Sequence, residues 1–178
     1  MTVRKDPWAH LAGRFFGALW PGGPNAADRA WVEAVLEPGE YTLWARQPGF
    51  DQRHTAGVAR RVEAALAGGP HAGDSRWLAC ALLHDIGKLA SGLGVPARVL
   101  ATVVGRATDG YRREEQRGLR RRIALYLRHP ELGADMIQLA GGRPEVAHWA
   151  GAHHDRARLD PALLPAPVVA ALVAADAD

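Results

Sequence analysis

The sequence predicts an all-α protein, and three features of its pattern support this. Apolar residues recur at three- and four-residue spacing over most of the chain, as on helices that bury one face. Runs alternating apolar and polar at period two, the mark of half-buried strands, do not occur. Proline and glycine stand where helices start and stop.

In chain order, Trp8, Leu11, Ala12, Phe15, Phe16, Leu19 and Trp20 fall at helical spacing and end at Pro21-Gly22-Gly23-Pro24. One internal charge, Arg14, makes a poor polar face, so this segment is expected to pack on the domain rather than lie on a membrane. Further helices are expected at about 26–36, 39–47, 51–67, 75–86, 96–107, 112–128, 130–140, 144–154 and 167–177. Asp74 suits the cap of the 75–86 helix, and Gly87 suits a left-handed stop. Pro130, Pro144 and Pro167 suit first helical positions, where a missing N–H costs nothing. The stretch 91–122 is a candidate lid. No repeat or low-complexity segment interrupts the pattern.

At 178 residues, 48% hydrophobic and 23% charged, the chain can build one core without staples. The one cysteine, Cys80, excludes an internal disulfide and reads as a small buried hydrophobe. No run reaches the ~20 apolar residues needed to span a bilayer, and no leader pattern is evident. The expected compartment is the cytoplasm. The net charge of +3 hides a local excess: eight arginines between Arg106 and Arg128 face only Asp109, Glu114 and Glu115. Such a run reads first as a solvated helix face, and second as steering for an anionic substrate or contact with nucleic acid.

Several ionisable residues lie on stripes that should face the core. His54 shares a stripe with Val58, Arg61/Val62 and Ala65/Leu66. His84 and Asp85 end a helix whose apolar positions are Trp77, Leu78, Ala81, Leu82 and Ile86. His153 continues Val146, Trp149 and Ala150, and Asp176 continues Val169, Leu172 and Val173. His129 opens the helix carrying Leu132, Met136 and Ile137. A buried aspartate costs several kcal/mol unless it is paired or protonated. Asp85 and Asp176 therefore need partners, and a divalent cation among imidazoles would supply one. Mixed imidazole and carboxylate ligands favour iron, manganese, zinc or nickel over calcium. His10, His71 and His148 read as structural.

Arg53-His54-Thr55-Ala56-Gly57, then Leu82-Leu83-His84-Asp85-Ile86-Gly87-Lys88, then Ala175-Asp176, resemble the HD superfamily of metal-dependent phosphohydrolases over about 50–177. The resemblance implies an HD-domain helical bundle, with residues 1–49 as an N-terminal helical extension packed on the same domain, 50–178. It also implies that His54, His84, Asp85 and Asp176 hold one metal. His129-Pro130-Glu131 and His153-His154-Asp155 resemble the binuclear branch, where Asp85 would bridge to a second ion held by His129 and His153, with His154 a further candidate. The Gly-Tyr-Pro segment of the cyclic-dinucleotide phosphodiesterases is missing. The layout is also similar to small bacterial hydrolases that split dinucleoside polyphosphates.

The expected activity is hydrolysis of a phosphate ester or anhydride of a nucleotide-like substrate by a metal-activated water. Asp85, Lys88 and His129 would act in catalysis, with Lys88 meeting charge on the phosphoryl oxygens. Arg53 and Arg128 are candidates for a further phosphate, and Asp51 for a support of one ligand histidine. The partner is then a small anionic phosphate, with nucleic acid a lesser alternative and no membrane. Two rival functions use the same residues: a non-catalytic HD-like signalling or scaffold module, and a di-iron oxygenase. The sequence leaves the metal's identity, the number of ions and the oligomeric state open.

Overall fold

The computed structural model describes residues 22–94, 96–98, 101–102 and 117–177. Eight α-helices run in order among them: α1 (Ala26–Val35), α2 (Pro38–Ala45), α3 (Gly49–Leu66), α4 (Ser75–Leu83), α5 (Gly118–Leu127), α6 (His129–Leu139), α7 (Pro144–Ala152) and α8 (Ala166–Ala177). Short 3₁₀ turns follow α4 at Ile86–Ser91 and α7 at Arg156–Arg158. No strand occurs among the described residues, so the all-α expectation holds. The expected helix around 8–20 lies outside the described residues, as do His10 and the 103–116 segment. Of the expected 96–107 helix, 96–98 and 101–102 are described, and they are helical.

The helix starts follow their side chains. The Asn25 side chain accepts from the Asp28 N–H at 2.8 Å, and Asp74 accepts from that of Arg76 at 3.0 Å. Glu37 and Glu40 form a reciprocal capping box before α2, with Pro38 in its first turn.

Every residue of α4 from Trp77 to Leu83 is buried. It is the central helix, with α3, α7, α8, α1 and α2 packed around it. The apolar core runs through Val58, Ala59 and Val62 of α3, Val146 and Trp149 of α7, and Val168 and Leu172 of α8. Trp44 of α2 is buried against this body, its indole N–H donating to the Thr55 hydroxyl at 3.1 Å. On α3 the buried positions are 55, 56, 58, 59, 62 and 66. His54 and Arg61 lie on the edge of that stripe, and Ala65 is exposed.

Gly87 does not perform the expected task. It is not in the left-handed region; that position is taken by Gly92, at φ 57°, which ends the 3₁₀ turn. The α-helix stops at Leu83, and the chain bends through His84 and Asp85. Gly87 is needed for close approach instead, because a Cβ there would collide with the His129 carbonyl and the Gly133 N–H of α6. The missing side chain lets the start of α6 sit directly against the residues after α4.

Of the basic stretch, Arg117, Arg120 and Arg121 are exposed, and Arg122 donates to the carbonyls of Ser91 and Gly92. No helix among the described residues is long and apolar enough to cross a membrane. Cys80 is fully buried, and burial pushes its thiol pKa up, as suits a core residue.

Candidate metal centre

Three of the candidate histidines are held by one local device. His84 caps the C-terminus of α4, His153 caps that of α7, and His129 follows the end of α5. Helix ends leave carbonyls without intrahelical partners. Each ring turns back and donates its Nδ1–H to the carbonyl three residues earlier: His84 to Ala81 at 2.8 Å, His129 to Tyr126 at 2.7 Å and His153 to Ala150 at 2.8 Å. A carbonyl can only accept, so Nδ1 carries a proton and Nε2 points the other way. All three Nε2 atoms meet at Asp85.

The two oxygens of Asp85 divide the cluster. Oδ2 lies 3.4 Å from His84 Nε2, and Oδ1 lies 3.2 Å from His129 Nε2 and 3.9 Å from His153 Nε2. On the first side, Asp176 Oδ1 comes from the last turn of α8 and lies 3.4 Å from His84 Nε2 and 3.5 Å from His54 Nε2. On the second, His154 Nε2 lies 3.3 Å from His129 Nε2. The side chains of His84 and Asp85 are 3% and 10% exposed, against 28% and 33% for His54 and Asp176. The cluster therefore has a buried floor and an open rim. Among the described residues, two groups of three have donor atoms within 4.8 Å of one another: His54 with His84 and Asp85, and His129 with His153 and His154.

The electrostatics call for a cation. Burial opposes ionisation of Asp85, but the Lys88 ammonium and His84 hold its carboxyl well below the usual range. Asp176 is likewise held below its ordinary value: burial works against it, and the closeness of the His54 and His84 rings prevails. Burial would lower the His84 pKa, yet the charge of Asp85 and the proximity of Asp176 push it up to about 10. His153 goes the opposite way, down to about 3, through burial and the neighbouring charge of His84. The carboxylates thus draw positive charge to their meeting point, while His153 keeps a neutral lone pair. The Nε2 atoms of His84 and His153 are buried and have no hydrogen-bond partner. Orphaned ring nitrogens beside two ionised carboxylates fit a divalent transition metal, which would take the place of the second proton on His84.

The remaining candidates have other placements. The Lys88 ammonium contacts Asp85 Oδ2 directly and lies 5.9 Å from the centre of the Tyr126 ring. Asp51 forms a two-oxygen pair with Arg98 at 2.8 and 2.9 Å. Arg53 and Arg128 are half-buried next to His54 and His129. His148 accepts from the Asp160 N–H at 2.8 Å, a structural bond. Sequence reasoning missed the carbonyls of Ala81, Tyr126 and Ala150, whose contribution leaves no side-chain signature. A histidine at a helix C-terminus is the signal that would have found them.

The HD domain family model matches residues 52–178, and the chain belongs to that family. HD domains bind divalent metals, and most are metal-dependent hydrolases, while some members are non-catalytic. No curated protein and no solved structure matches the chain.

Proposed function

We propose that this protein is a metal-dependent phosphohydrolase cleaving a phosphate ester or anhydride of a nucleotide-like substrate. In this reading His54, His84, Asp85 and Asp176 hold one divalent ion, and Asp85 is shared with a second on His129, His153 and His154. One observation carries the proposal: the two oxygens of a single buried carboxylate face two separate groups of histidines. A carboxylate can bridge two cations in that way, whereas an imidazole cannot.

A bound divalent ion supplies a water acidic enough to attack phosphorus near neutral pH and polarises a phosphoryl oxygen. The chain's own groups do the rest. The Nδ1–carbonyl bonds fix three rings before substrate arrives, so little reorganisation is left for the reaction. Lys88 keeps Asp85 ionised and brings positive charge to the place where the phosphoryl oxygens gain negative charge. The buried floor excludes bulk water and strengthens each of these interactions.

The test is metal content together with hydrolysis of nucleotides, dinucleoside polyphosphates and a generic phosphodiester, using protein loaded with Mn²⁺ or Fe²⁺. Native protein should carry close to two ions and hydrolyse at least one of these, and Asp85→Ala should lose both properties. A folded native chain that takes up no transition metal would favour the scaffold reading. Intact hydrolysis in Asp85→Ala would end the proposal.

A further inference from the structure

The histidine–aspartate cluster borders a cavity of about 290 Å³ between α3, α7 and α8. His84, His153 and Asp176 supply its polar wall, and Val58, Trp149, Leu172 and Val173 supply much of the rest. Arg156 is the one arginine or lysine lining it among the described residues. It stands on the 3₁₀ turn after α7, which Asp155 caps by accepting the Ala157 N–H at 3.1 Å. Nearby cations are already engaged. Lys88 is on Asp85, Arg61 donates to the Ala175 carbonyl at 2.9 Å, and Arg158 lies 3.5 Å from Glu131. Arg156 is exposed, and its side chain makes no hydrogen bond or ion pair among the described residues.

We propose that this cavity seats the organic group of a phosphate ester or anhydride, and that Arg156 holds one of its phosphate oxygens at the rim. The inference rests on the hydrolase reading for the direction of approach: a substrate here has its phosphorus end against His84, His153 and Asp176. A planar guanidinium suits phosphate because two parallel N–H groups meet two oxygens. The apolar walls offer contact area, with the Trp149 indole N–H as the one side-chain donor among Val58, Trp149, Leu172 and Val173, so they take up a flat uncharged group mainly by shape. Selectivity accordingly falls on charge and bulk rather than on base identity. Lys88, Arg53 and Arg128, the cations singled out by the sequence, do not line this cavity.

The test uses the full chain loaded with Mn²⁺ and two probes, phenyl phosphate and inorganic pyrophosphate. Binding is measured by calorimetry and metal content by elemental analysis. Arg156→Met should keep the native metal content and bind both probes roughly tenfold or more weakly, as expected for a lost charge-assisted bond; Arg156→Lys should recover part of the loss. Val173→Trp, filling the cavity, should block phenyl phosphate and spare pyrophosphate. Native affinities in Arg156→Met, unchanged phenyl phosphate binding in Val173→Trp, or no binding of either probe by the loaded native chain would each overturn the inference. A chain that takes up no metal, yet loses probe affinity on Arg156→Met, would sink the hydrolase reading and leave the role of Arg156 standing.

Discussion

Two clusters of buried charge lie at opposite ends of α4, and they differ in one respect. At the N-terminal end, the fully buried Glu40 meets Arg143, whose guanidinium also donates to Ser75 at 2.9 Å. Both Glu40 oxygens are satisfied: Oε1 accepts from the Arg143 N–H and Nε at 2.9 and 3.0 Å, and Oε2 from an Arg143 terminal N–H at 2.5 Å and the Glu37 N–H at 3.1 Å. At the C-terminal end, the carboxylates of Asp85 and Asp176 face imidazoles, and the Nε2 atoms of His84 and His153 have no hydrogen-bond partner. Both clusters bear the cost of removing charge from water. The first is closed and holds α2 to the start of α7. The second is open, and an open buried site is where a ligand is expected.

The largest expected effect tests the open cluster. Outer partners of metal ligands are worth about 10- to 100-fold in metal affinity, so loss of the ligand His153 should exceed that. His153→Leu should therefore abolish tight binding of one ion. It removes a buried acceptor without a partner but also the Nδ1–H that satisfies the Ala150 carbonyl, so the metal-free chain should lose no more than about 1–3 kcal/mol in urea unfolding. A large loss of metal-free stability would show that this cluster is structural after all.

Glu40→Gln should do the reverse. Breaking a buried ion pair from one side costs about 3–5 kcal/mol, while the variant, wherever folded, should bind metal as the native chain does. This effect has a definite pH dependence. Burial works against ionisation of Glu40, but the hydrogen bonds and charge of Arg143 outweigh it and hold the carboxyl below its ordinary value of 4.5. With the folded value lower than the unfolded one, the stabilisation is complete above the unfolded value and is lost as pH falls through the folded one. The gap between native and Glu40→Gln in thermal unfolding should therefore be widest near neutrality and shrink below the ordinary glutamate range. A gap that widened on acidification would contradict this account.

Gly87→Ala lies between the two in kind and is the smallest in size. A methyl group between the turn after α4 and the start of α6 should cost about 1–3 kcal/mol as overpacking. It should also weaken metal binding on the His129 side more than on the His54 side, since it pushes α6 outward. Equal weakening on both sides would deny Gly87 its spacing role.

Much of the helical order was legible in the sequence, because caps and prolines act locally: Asp74, Pro130 and Pro144 each stand in the first turn of a helix or cap it. Ends were less legible. The α4 helix stops three residues before its expected limit, since packing of α6 on Gly87 overrides the local glycine signal. The closed cluster went unforeseen. Glu40 and Arg143 are 103 positions apart, and neither residue type signals burial by itself. Arg156 was equally unmarked, one arginine among many until α7 and α8 set it beside a cavity.

The sequence by itself determined the fold class, the family-like motifs and the short list of histidines and aspartates, since periodicity, capping and residue chemistry are properties of neighbouring positions. Only the tertiary structure decided which oxygen of Asp85 faces which imidazole, that Lys88 lies against Asp85, and that Arg156 rather than Arg53 or Arg128 borders the cavity. Those are relations between side chains on separate helices, and helix packing, not spacing along the chain, sets them.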